Sequence, residues 1–423
     1  MSPGTRKTPP LALAGAHVPP GVLEVVKRLQ VAGHEAYLVG GCVRDMVLGR
    51  EPGDFDIATQ ALPDEVQRLF RKVIPTGIAH GTVTVLVPGG QVEVTTYRTE
   101  VGYADGRRPD RVEFRRDLTE DLARRDFTIN AMAFDPRAAE LRDPFGGLED
   151  LDRCLVRSVG DAAARFGEDG LRPLRAVRFA TVLDFALDPR TEAAIPGALG
   201  VFRKVAHERV RDEFMKLLLA PAVERGLLLL ASTGLLGAAF PELESAVREG
   251  VGARVAAVPA RPEVRLAALL ASSERAEAVL ERLRVPARTV EEVRALLAHP
   301  VPPGAGTWSD AAVRRWGSAL GRERVADALA LDAASGREDA QRIRAQVEQA
   351  LAGKPPLSVR ELALGGRQVM DVLGVGPSPV VGEATRWLLE LVLEAPERNT
   401  AAALTTALRG WAEARGLKPG PPA

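Results

Sequence analysis

Several residue types that often reveal a function class are scarce in this chain of 423 residues. Its only two cysteines, Cys42 and Cys154, argue against a disulfide framework or a cysteine-based zinc site, and such scarcity is typical of a reducing cytoplasm. Basic and acidic residues balance at 56 each, so a nucleic-acid-binding surface would have to come from local clusters of arginine. No apolar run reaches the roughly 20 residues of a membrane helix, so we expect no membrane partner.

Histidine is also rare, and none of the five histidines is followed by aspartate. The HD signature of phosphohydrolases is therefore absent, and we predict no accompanying phosphatase or phosphodiesterase activity. Residues 1–20 are rich in proline and glycine and are predicted to form a disordered leader. The apolar run in this leader is too short for a signal peptide.

The composition changes once along the chain. Between residues 36 and 135, short apolar runs such as AYLVG, FDIAT, GTVTVLV and VEVTTYR alternate with glycine and proline, which predicts strands of one mixed sheet with a few helices. From about residue 160, alanine, leucine, arginine and glutamate dominate at helical spacing. We therefore expect an α+β protein in which a small mixed sheet with helices is followed by all-α subdomains.

The first chemical motif is LVGGCVRDMVLGREPGDFDIAT. Asp54 and Asp56 are two residues apart in a predicted strand, and alternate residues of a strand share a face. Two carboxylates on one face form a hard oxygen site suited to Mg²⁺, which clamps the attacking and leaving oxygens in phosphoryl transfer. Gly40 and Gly41 allow the backbone to approach a phosphate, and Arg44 can add a charge-assisted hydrogen bond. The alternative is a glycine turn beside a solvated acidic pair, which the close spacing of the two motifs disfavours.

Two further features belong to the same region. Glu93, in VEVTTYR, is either a third carboxylate near the metal or a surface acid on an edge strand. In DLARRDFTINAMAFD, Arg124 and Arg125 precede Asn130, and paired guanidinium groups beside a metal site suit a triphosphate. A solvated charge run is the alternative, and the position of the motif after the strands favours the functional interpretation.

The third motif, FGEDGLRPLRAVRFA, carries charged residues at every third position of a predicted helix, namely Asp169, Arg172, Arg175 and Arg178. Residues three apart share a helix face. Cytosine and adenine both present an amino donor beside a ring-nitrogen acceptor, whereas uracil and guanine reverse this order. Asp169 as acceptor and Arg172 as donor would therefore select C or A, so that the protein replaces a template. The alternative is an ordinary salt bridge between these two residues.

Together the three motifs resemble those of the class II tRNA nucleotidyltransferases and bacterial poly(A) polymerases of the polymerase-β-like superfamily, and the resemblance covers most of the chain. GGCVRD with DFDIAT is similar to the metal motif of that family, RRDFTINAMA to its ribose and triphosphate motif, and DPFGGLEDL to its hinge motif. EDGLRPLRAVRF is similar to the nucleotide-selecting motif, and HERVRDEFMKLL to the last conserved helix. The resemblance implies a seahorse-like arrangement of a nucleotidyltransferase head at 21–155, a helical neck at 156–222, a helical body at 223–350 and a helical tRNA-binding tail at 351–423.

The resemblance also implies roles for individual residues. Asp54 and Asp56 would hold Mg²⁺ as the catalytic pair. The residues expected to contact the incoming CTP or ATP are Gly41, Arg44, Arg125, Asp169, Arg172, Arg175 and Arg178. The residues expected to support them are Gly40, Glu93, Arg124, Asn130 and Glu168.

Four activities share this head, namely CCA-adding, CC-adding, A-adding and poly(A)-adding. IPTGIAHGTVTV resembles the CCA-adding form, whereas poly(A) polymerases carry an arginine-rich segment there. YRTEVGYADGRRPDRVEF resembles the flexible loop with which CCA-adding enzymes switch from C to A, and residues 357–399 resemble the tail that binds the tRNA elbow. We expect template-independent addition of C, C and A to the tRNA 3′ end, with release of pyrophosphate. An A-adding enzyme, a poly(A) polymerase and a catalytically inert RNA-binding protein are the alternatives.

Overall fold

The computed structural model describes residues 6–7, 13, 15–101, 111–114, 117–302 and 307–417. Most of the predicted leader and residues 102–110 of the predicted flexible loop lie outside these ranges. The chain divides into two compact units, of which the first is Met1–Gly252 with Glu277–Arg284 and the second is Ala253–Ala276 with Val285–Ala423. The bounds given above for head, neck, body and tail stay predictions.

The strands that the structure describes all lie in the first unit. In chain order they are β1 (Arg6–Lys7), β2 (Ala36–Val39), β3 (Asp56–Thr59), β4 (Val73–Gly77), β5 (Thr82–Val87), β6 (Gly90–Thr96), β7 (Arg98–Val101), β8 (Arg111–Phe114), β9 (Ala133–Asp135), β10 (Glu140–Arg142), β11 (Leu155–Val156) and β12 (Ala186–Leu187). Eight of them form one sheet in the order β1-β10-β9-β2-β3-β6-β5-β4. Neighbours β3 and β6 run parallel in this sheet, and the other described neighbours are antiparallel.

The strands follow the apolar runs of the sequence because one face of the sheet must be buried. Val83 and Val85 of β5 and Val92 and Val94 of β6 are buried at alternate positions, as half-buried antiparallel strands require. The predicted mixed sheet is thereby confirmed. Because β6 lies between β3 and β5, the interpretation of Glu93 as a residue of an edge strand is wrong.

Helices account for most of the remaining described residues. In chain order they are α1 (Pro20–Val31), α2 (Gly41–Val47), α3 (Pro63–Leu69), α4 (Leu118–Ala123), α5 (Gly147–Asp152), α6 (Ala162–Glu168), α7 (Arg172–Leu183), α8 (Pro189–Ala194), α9 (Leu199–Phe202), α10 (His207–Leu218), α11 (Val223–Ser232), α12 (Leu235–Ala239), α13 (Glu244–Arg248), α14 (Val251–Ala257), α15 (Pro262–Leu270), α16 (Ala276–Leu283), α17 (Ala287–Ala298), α18 (Asp310–Leu320), α19 (Val325–Ala334), α20 (Ala340–Ala350), α21 (Gly366–Leu373), α22 (Pro379–Glu394) and α23 (Ala401–Glu413). The expectation of an α+β protein, a sheet domain followed by all-α parts, is confirmed.

Two of these helices position the candidate site. In α7 the second residue is Pro173, where proline is tolerated because its missing N–H would have no partner in the first turn. Helix α10 packs along α7 within the first unit. Among the described residues, no helix is both long and apolar enough to span a bilayer.

Candidate active site

A sharp turn between β2 and α2 brings the backbone next to two charged side chains. Gly40 has φ +79° and ψ −135°, a combination essentially restricted to glycine. A Cβ atom on Gly40 would lie 2.9 Å from Nη1 of Arg125 and 3.8 Å from Oδ2 of Asp56. At Gly41 such an atom would lie 3.6 Å from Nη2 of Arg44, an ordinary contact. The strict requirement for glycine therefore falls on Gly40, where Arg125 and Asp56 meet the turn.

The acidic pair lies at the start of β3. Asp56 is the first residue of this strand and stands opposite Val39, the last residue of β2, on one side and Glu93 of β6 on the other. Asp54 is exposed and precedes the strand. The prediction that Asp54 shares the strand is wrong, because β3 begins at Asp56, opposite the last residue of β2.

The electrostatics of this corner favour a bound cation. Burial raises the pKa of Asp56 to about 6, the charges of Asp54 and Glu93 add to this effect, and Arg125 opposes it. Neighbouring carboxylates that repel one another provide hard oxygen donors, the chemistry that divalent cations of the Mg²⁺ type prefer. Within the described ranges, however, no group of three or more His, Cys, Asp and Glu residues is placed to hold one metal ion. Glu93 as a third ligand therefore stays a prediction.

The paired arginines do not form a solvated run, because both side chains are mostly buried. Nη2 of Arg124 lies 2.8 Å from Oδ1 of Asp121, a fully buried carboxylate. Nη2 of Arg125 lies 3.5 Å from the other oxygen of Asp121, and its Nε is buried without a partner among the described residues. Asp121 thus holds Arg124 firmly and Arg125 weakly, which leaves the guanidinium of Arg125 beside Asp56 with unused donor capacity.

Asn130 connects the helix that follows the Gly40 turn to the arginine motif. It ends a 3₁₀ turn, Thr128–Asn130, that packs on α2. Its Oδ1 accepts a hydrogen bond of 2.7 Å from Nη1 of Arg44, and its Nδ2 donates one of 3.1 Å to Oδ1 of Asp126. The side chain of Asn130 therefore fixes where Arg44 points.

The segment that was predicted to select the nucleotide contains a break that the sequence interpretation missed. Helix α6 ends at Glu168, Asp169 is extended with φ −133° and ψ 109°, and α7 begins at Arg172. The prediction that Asp169 shares the helix with Arg172, Arg175 and Arg178 is therefore wrong.

The two proposed base-reading residues have different partners rather than one mutual salt bridge. The carboxylate of Asp169 accepts hydrogen bonds from the Leu171 N–H at 3.0 Å and from both terminal nitrogens of Arg209, at 3.2 and 2.9 Å. Arg172, which is 7% exposed, donates to Oε2 of Glu168 at 2.5 Å and to the carbonyl oxygens of Arg165 and Arg124 at 3.0 and 2.8 Å. The interpretation as an ordinary Asp169–Arg172 salt bridge is not what the structure has.

The remaining arginines of α7 are paired with buried carboxylates. Arg175 contacts Oδ2 of Asp126 at 2.7 Å and Arg178 contacts Oε2 of Glu213 at 2.7 Å. Burial alone would raise the pKa of Asp126, but Arg175 and the hydrogen bond from Asn130 outweigh it and hold that pKa low, at about 2. Arg178 is buried, so its contacts in this structure are internal.

An aromatic ring lies among three arginines of the site. The guanidinium carbons of Arg178, Arg44 and Arg175 lie 3.5, 5.1 and 5.4 Å from the ring centroid of Phe179, within the range of cation–π attraction. Phe127 supports the ring edge-to-face at 5.6 Å. Phe179 thus gathers guanidinium groups from α2 and α7 at one place.

Four residues of the site escaped the sequence interpretation, namely Asp126, Phe179, Arg209 and Glu213. Asp126 and Phe179 lie inside quoted motifs, but the residue type alone does not predict that either side chain will contact an arginine. Arg209 and Glu213 are four apart in HERVRDEFMKLL and so share a helix face. That spacing is the signal that could have assigned both to the surface of α10 facing α7.

Comparisons with known families agree with this geometry. Residues 36–157 match a model described as the poly A polymerase head domain. Residues 184–247 match one described as a probable RNA and SrmB-binding site of polymerase A. The first match covers β2 to β11 with the turn, the acidic pair and both arginines of the RRD motif.

Individual relatives are similar over different lengths. A CCA-adding enzyme of Lactobacillus gasseri is 52% identical over 213 residues, so that the match spans about half of each chain, 50% of this one and 53% of the relative. A CCA-adding enzyme of Geobacillus kaustophilus is 38% identical over 382 residues, 89% of this chain and 93% of the relative. The crystal structure of the Bacillus stearothermophilus CCA-adding enzyme in complex with CTP is 36% identical, with a TM-score of 0.79, and the match covers 94% of this chain and 99% of that one. This chain therefore belongs to the family of class II CCA-adding tRNA nucleotidyltransferases.

Proposed function

We propose that this protein adds C, C and A in turn to the 3′ end of tRNA without a nucleic-acid template, using CTP and ATP and releasing pyrophosphate. The supporting observation is that the three motifs converge through adjacent residues. Arg125 lies beside Asp56 at the Gly40 turn, while the carbonyl of its neighbour Arg124 accepts a hydrogen bond from Arg172. The match to the Geobacillus CCA-adding enzyme over 93% of its length supports the same activity.

We propose that Asp54 and Asp56 hold Mg²⁺ in particular. Members of the family generally use a divalent metal. Divalent ions held by these carboxylates would lower the pKa of the attacking tRNA 3′-hydroxyl and would neutralise charge on the triphosphate. Arg125 is placed to bind a phosphate oxygen, because its Nη1 faces the Gly40 turn, 2.9 Å from where a Cβ on Gly40 would lie. The Gly40 turn lets that phosphate approach the backbone without a Cβ in the way.

Base choice comes from the ends of α6 and α7. Contacts with Glu168 and with two backbone carbonyls anchor the guanidinium of Arg172 to the protein, and its other N–H groups remain for a ring nitrogen of the base. Asp169 accepts from the amino group that C and A share. U and G offer neither the donor that Asp169 needs nor the acceptor that Arg172 needs, and polar mismatch of this kind discriminates strongly.

We further propose that the helical parts beyond the head bind tRNA through its shape and backbone charge rather than its sequence. The match of residues 184–247 to an RNA-binding model supports this for the neck and the start of the body. The head, neck, body and tail bounds given above belong to this proposal, as does a cytoplasmic location.

The test is incorporation of each of the four labelled nucleoside triphosphates, with Mg²⁺, into tRNA that ends at the discriminator base, after C or after CC. Addition of C, C and A followed by termination is expected. Addition of A alone to the CC-ended tRNA would make the protein an A-adding enzyme, and long A tails would make it a poly(A) polymerase. No incorporation by the wild-type chain would instead support an inert RNA-binding protein.

Two variants distinguish loss of the proposed metal site from a general loss of folding. Asp54→Ala is expected to abolish incorporation from every primer, because it removes one of the two proposed metal ligands. The fold should stay intact, since Asp54 is exposed. The matched control is Asp152→Ala, at the exposed end of α5 in the same unit, which should retain activity. Normal incorporation by Asp54→Ala would refute the assignment of the metal site.

A further inference from the structure

Asp169 is held by an arginine forty residues further along the chain. Arg209, in the first turn of α10, places one terminal nitrogen 3.2 Å from Oδ1 and the other 2.9 Å from Oδ2 of the Asp169 carboxylate. The side chains of Arg209 and Asp169 are partly buried, with 24% and 18% of their surface exposed. A two-pronged contact of this kind fixes the plane of the carboxylate as well as its position.

The contact matters because the local backbone alone would fix Asp169 poorly. This residue lies in extended backbone between two helices, and within its own segment the carboxylate accepts a hydrogen bond from the Leu171 N–H at 3.0 Å. A single hydrogen bond leaves rotation about the Cβ–Cγ bond of an aspartate broad. Arg209 removes that freedom and leaves part of the acceptor capacity of the carboxylate for an incoming group.

Arg209 is itself well anchored. The same face of α10 carries Glu213, which binds Arg178 of α7 at 2.7 Å, and α10 packs along α7. A second contact holds the start of α10 to the segment after α16, because Arg211 donates a 2.9 Å hydrogen bond to the carbonyl oxygen of Arg284. The position of Arg209 is thus set by the packing of two helices and not by a mobile loop.

We propose that Arg209 is a positioning residue for base selection, which orients the Asp169 carboxylate so that it accepts from the amino group of C or A and rejects U and G. This inference rests on the proposed function, because it assigns Asp169 to the base edge. Arg209 acts through Asp169 and does not read the base itself.

The test compares kcat/KM for CTP with kcat/KM for UTP on tRNA that lacks its CCA end, together with the Kd of each nucleotide in the presence of Mg²⁺. In Arg209→Ala the CTP/UTP ratio should fall by about tenfold or more, which is the loss of roughly one well-oriented hydrogen bond. Arg209→Lys should restore only part of the ratio, because an ammonium group cannot bind both oxygens in one plane. Arg203→Ala removes an exposed arginine shortly before the same helix and should leave the ratio unchanged.

A double-mutant cycle shows whether Arg209 works through Asp169. In an Asp169→Ala background, the further change Arg209→Ala should not alter the CTP/UTP ratio. An equal fall in both backgrounds would overturn the proposal, as would an unchanged ratio in Arg209→Ala. Loss of folding in Arg209→Ala, Arg209→Gln and Arg209→Lys alike would assign Arg209 a structural role and overturn it too. If the wild-type protein itself showed no preference for CTP and ATP, the proposed function would fail rather than this inference alone.

Discussion

Replacement of Asp56 by asparagine should make the metal-free protein more stable while it abolishes catalysis. Burial raises the pKa of Asp56 from 3.8 to about 6, and the charges of Asp54 and Glu93 add to the shift. A carboxyl group whose pKa is higher in the folded than in the unfolded state destabilises the fold when it is ionised. An asparagine side chain at this position would keep nearly the same shape without the charge.

The size and the pH dependence of the effect follow from that shift. About two pKa units correspond to roughly 2 to 3 kcal/mol at most. The penalty is fully present above pH 6, where folded Asp56 is ionised, and it disappears below about pH 4, where both states are protonated. Asp56→Asn should therefore raise the free energy of unfolding by about 2 kcal/mol at about pH 8, and the gain should vanish as the pH falls to about 4.

The assay is urea unfolding in EDTA at several pH values, followed by the same series with Mg²⁺. Mg²⁺ should stabilise the wild type and so reduce the difference in free energy of unfolding between it and Asp56→Asn, because we expect the metal to bind only the protein that retains the carboxylate pair. Asp152→Asn, at an exposed position in the same unit, controls for the change in net charge. A variant no more stable than the wild type at about pH 8 would refute the view that the acidic corner stores electrostatic strain.

Three further predictions concern the supporting structure. Glu213→Leu leaves Arg178 without its buried partner and should lower the free energy of unfolding by about 3 kcal/mol. The control is Glu208→Gln, on the same helix but exposed, which should change the free energy of unfolding little. Urea unfolding measures both variants. Gly40→Ala forces a Cβ to within 2.9 Å of Nη1 of Arg125 and should reduce kcat/KM for CTP by about tenfold or more. Gly49→Ala is the control for backbone strain, because Gly49 also has a positive φ, +67°, but its new Cβ meets open space; this variant should retain activity. The affinity for tRNA should fall steeply between about 50 and 200 mM salt, as filter binding would measure, because phosphate contacts release counterions; a flat response would contradict backbone recognition.

The sheet could be predicted from the sequence because its signal is local. Alternating valines in TVTVLV and VEVTT are sufficient to place β5 and β6, whose buried faces the structure confirms. The end of a strand is less local: β3 begins at Asp56, opposite Val39, the last residue of its neighbour β2. The position of Asp54 therefore depended on the register in which β2 and β3 pair, which the letters of the motif do not specify.

The organisation of the nucleotide-selecting segment could not be predicted for a similar reason. A spacing of three residues between Asp169 and Arg172 suggested one helix, but the chain is extended at Asp169. The carboxylate pairs with Arg209 instead, forty residues away in sequence. Such a pair is set by the packing of α7 against α10, which no single-segment pattern encodes.

Helix α2, which follows the Gly40 turn, and helix α7 are joined by one chain of polar contacts. Arg44 of α2 donates to Asn130, Asn130 donates to Asp126, and Asp126 binds Arg175 of α7. Arg175 in turn lies 3.7 Å from Glu213 of α10. Each buried carboxylate in this chain serves more than one partner, so that removing it leaves more than one group unsatisfied. Substitutions at the turn and at α7 are therefore coupled through shared partners, and their effects on nucleotide binding should not add.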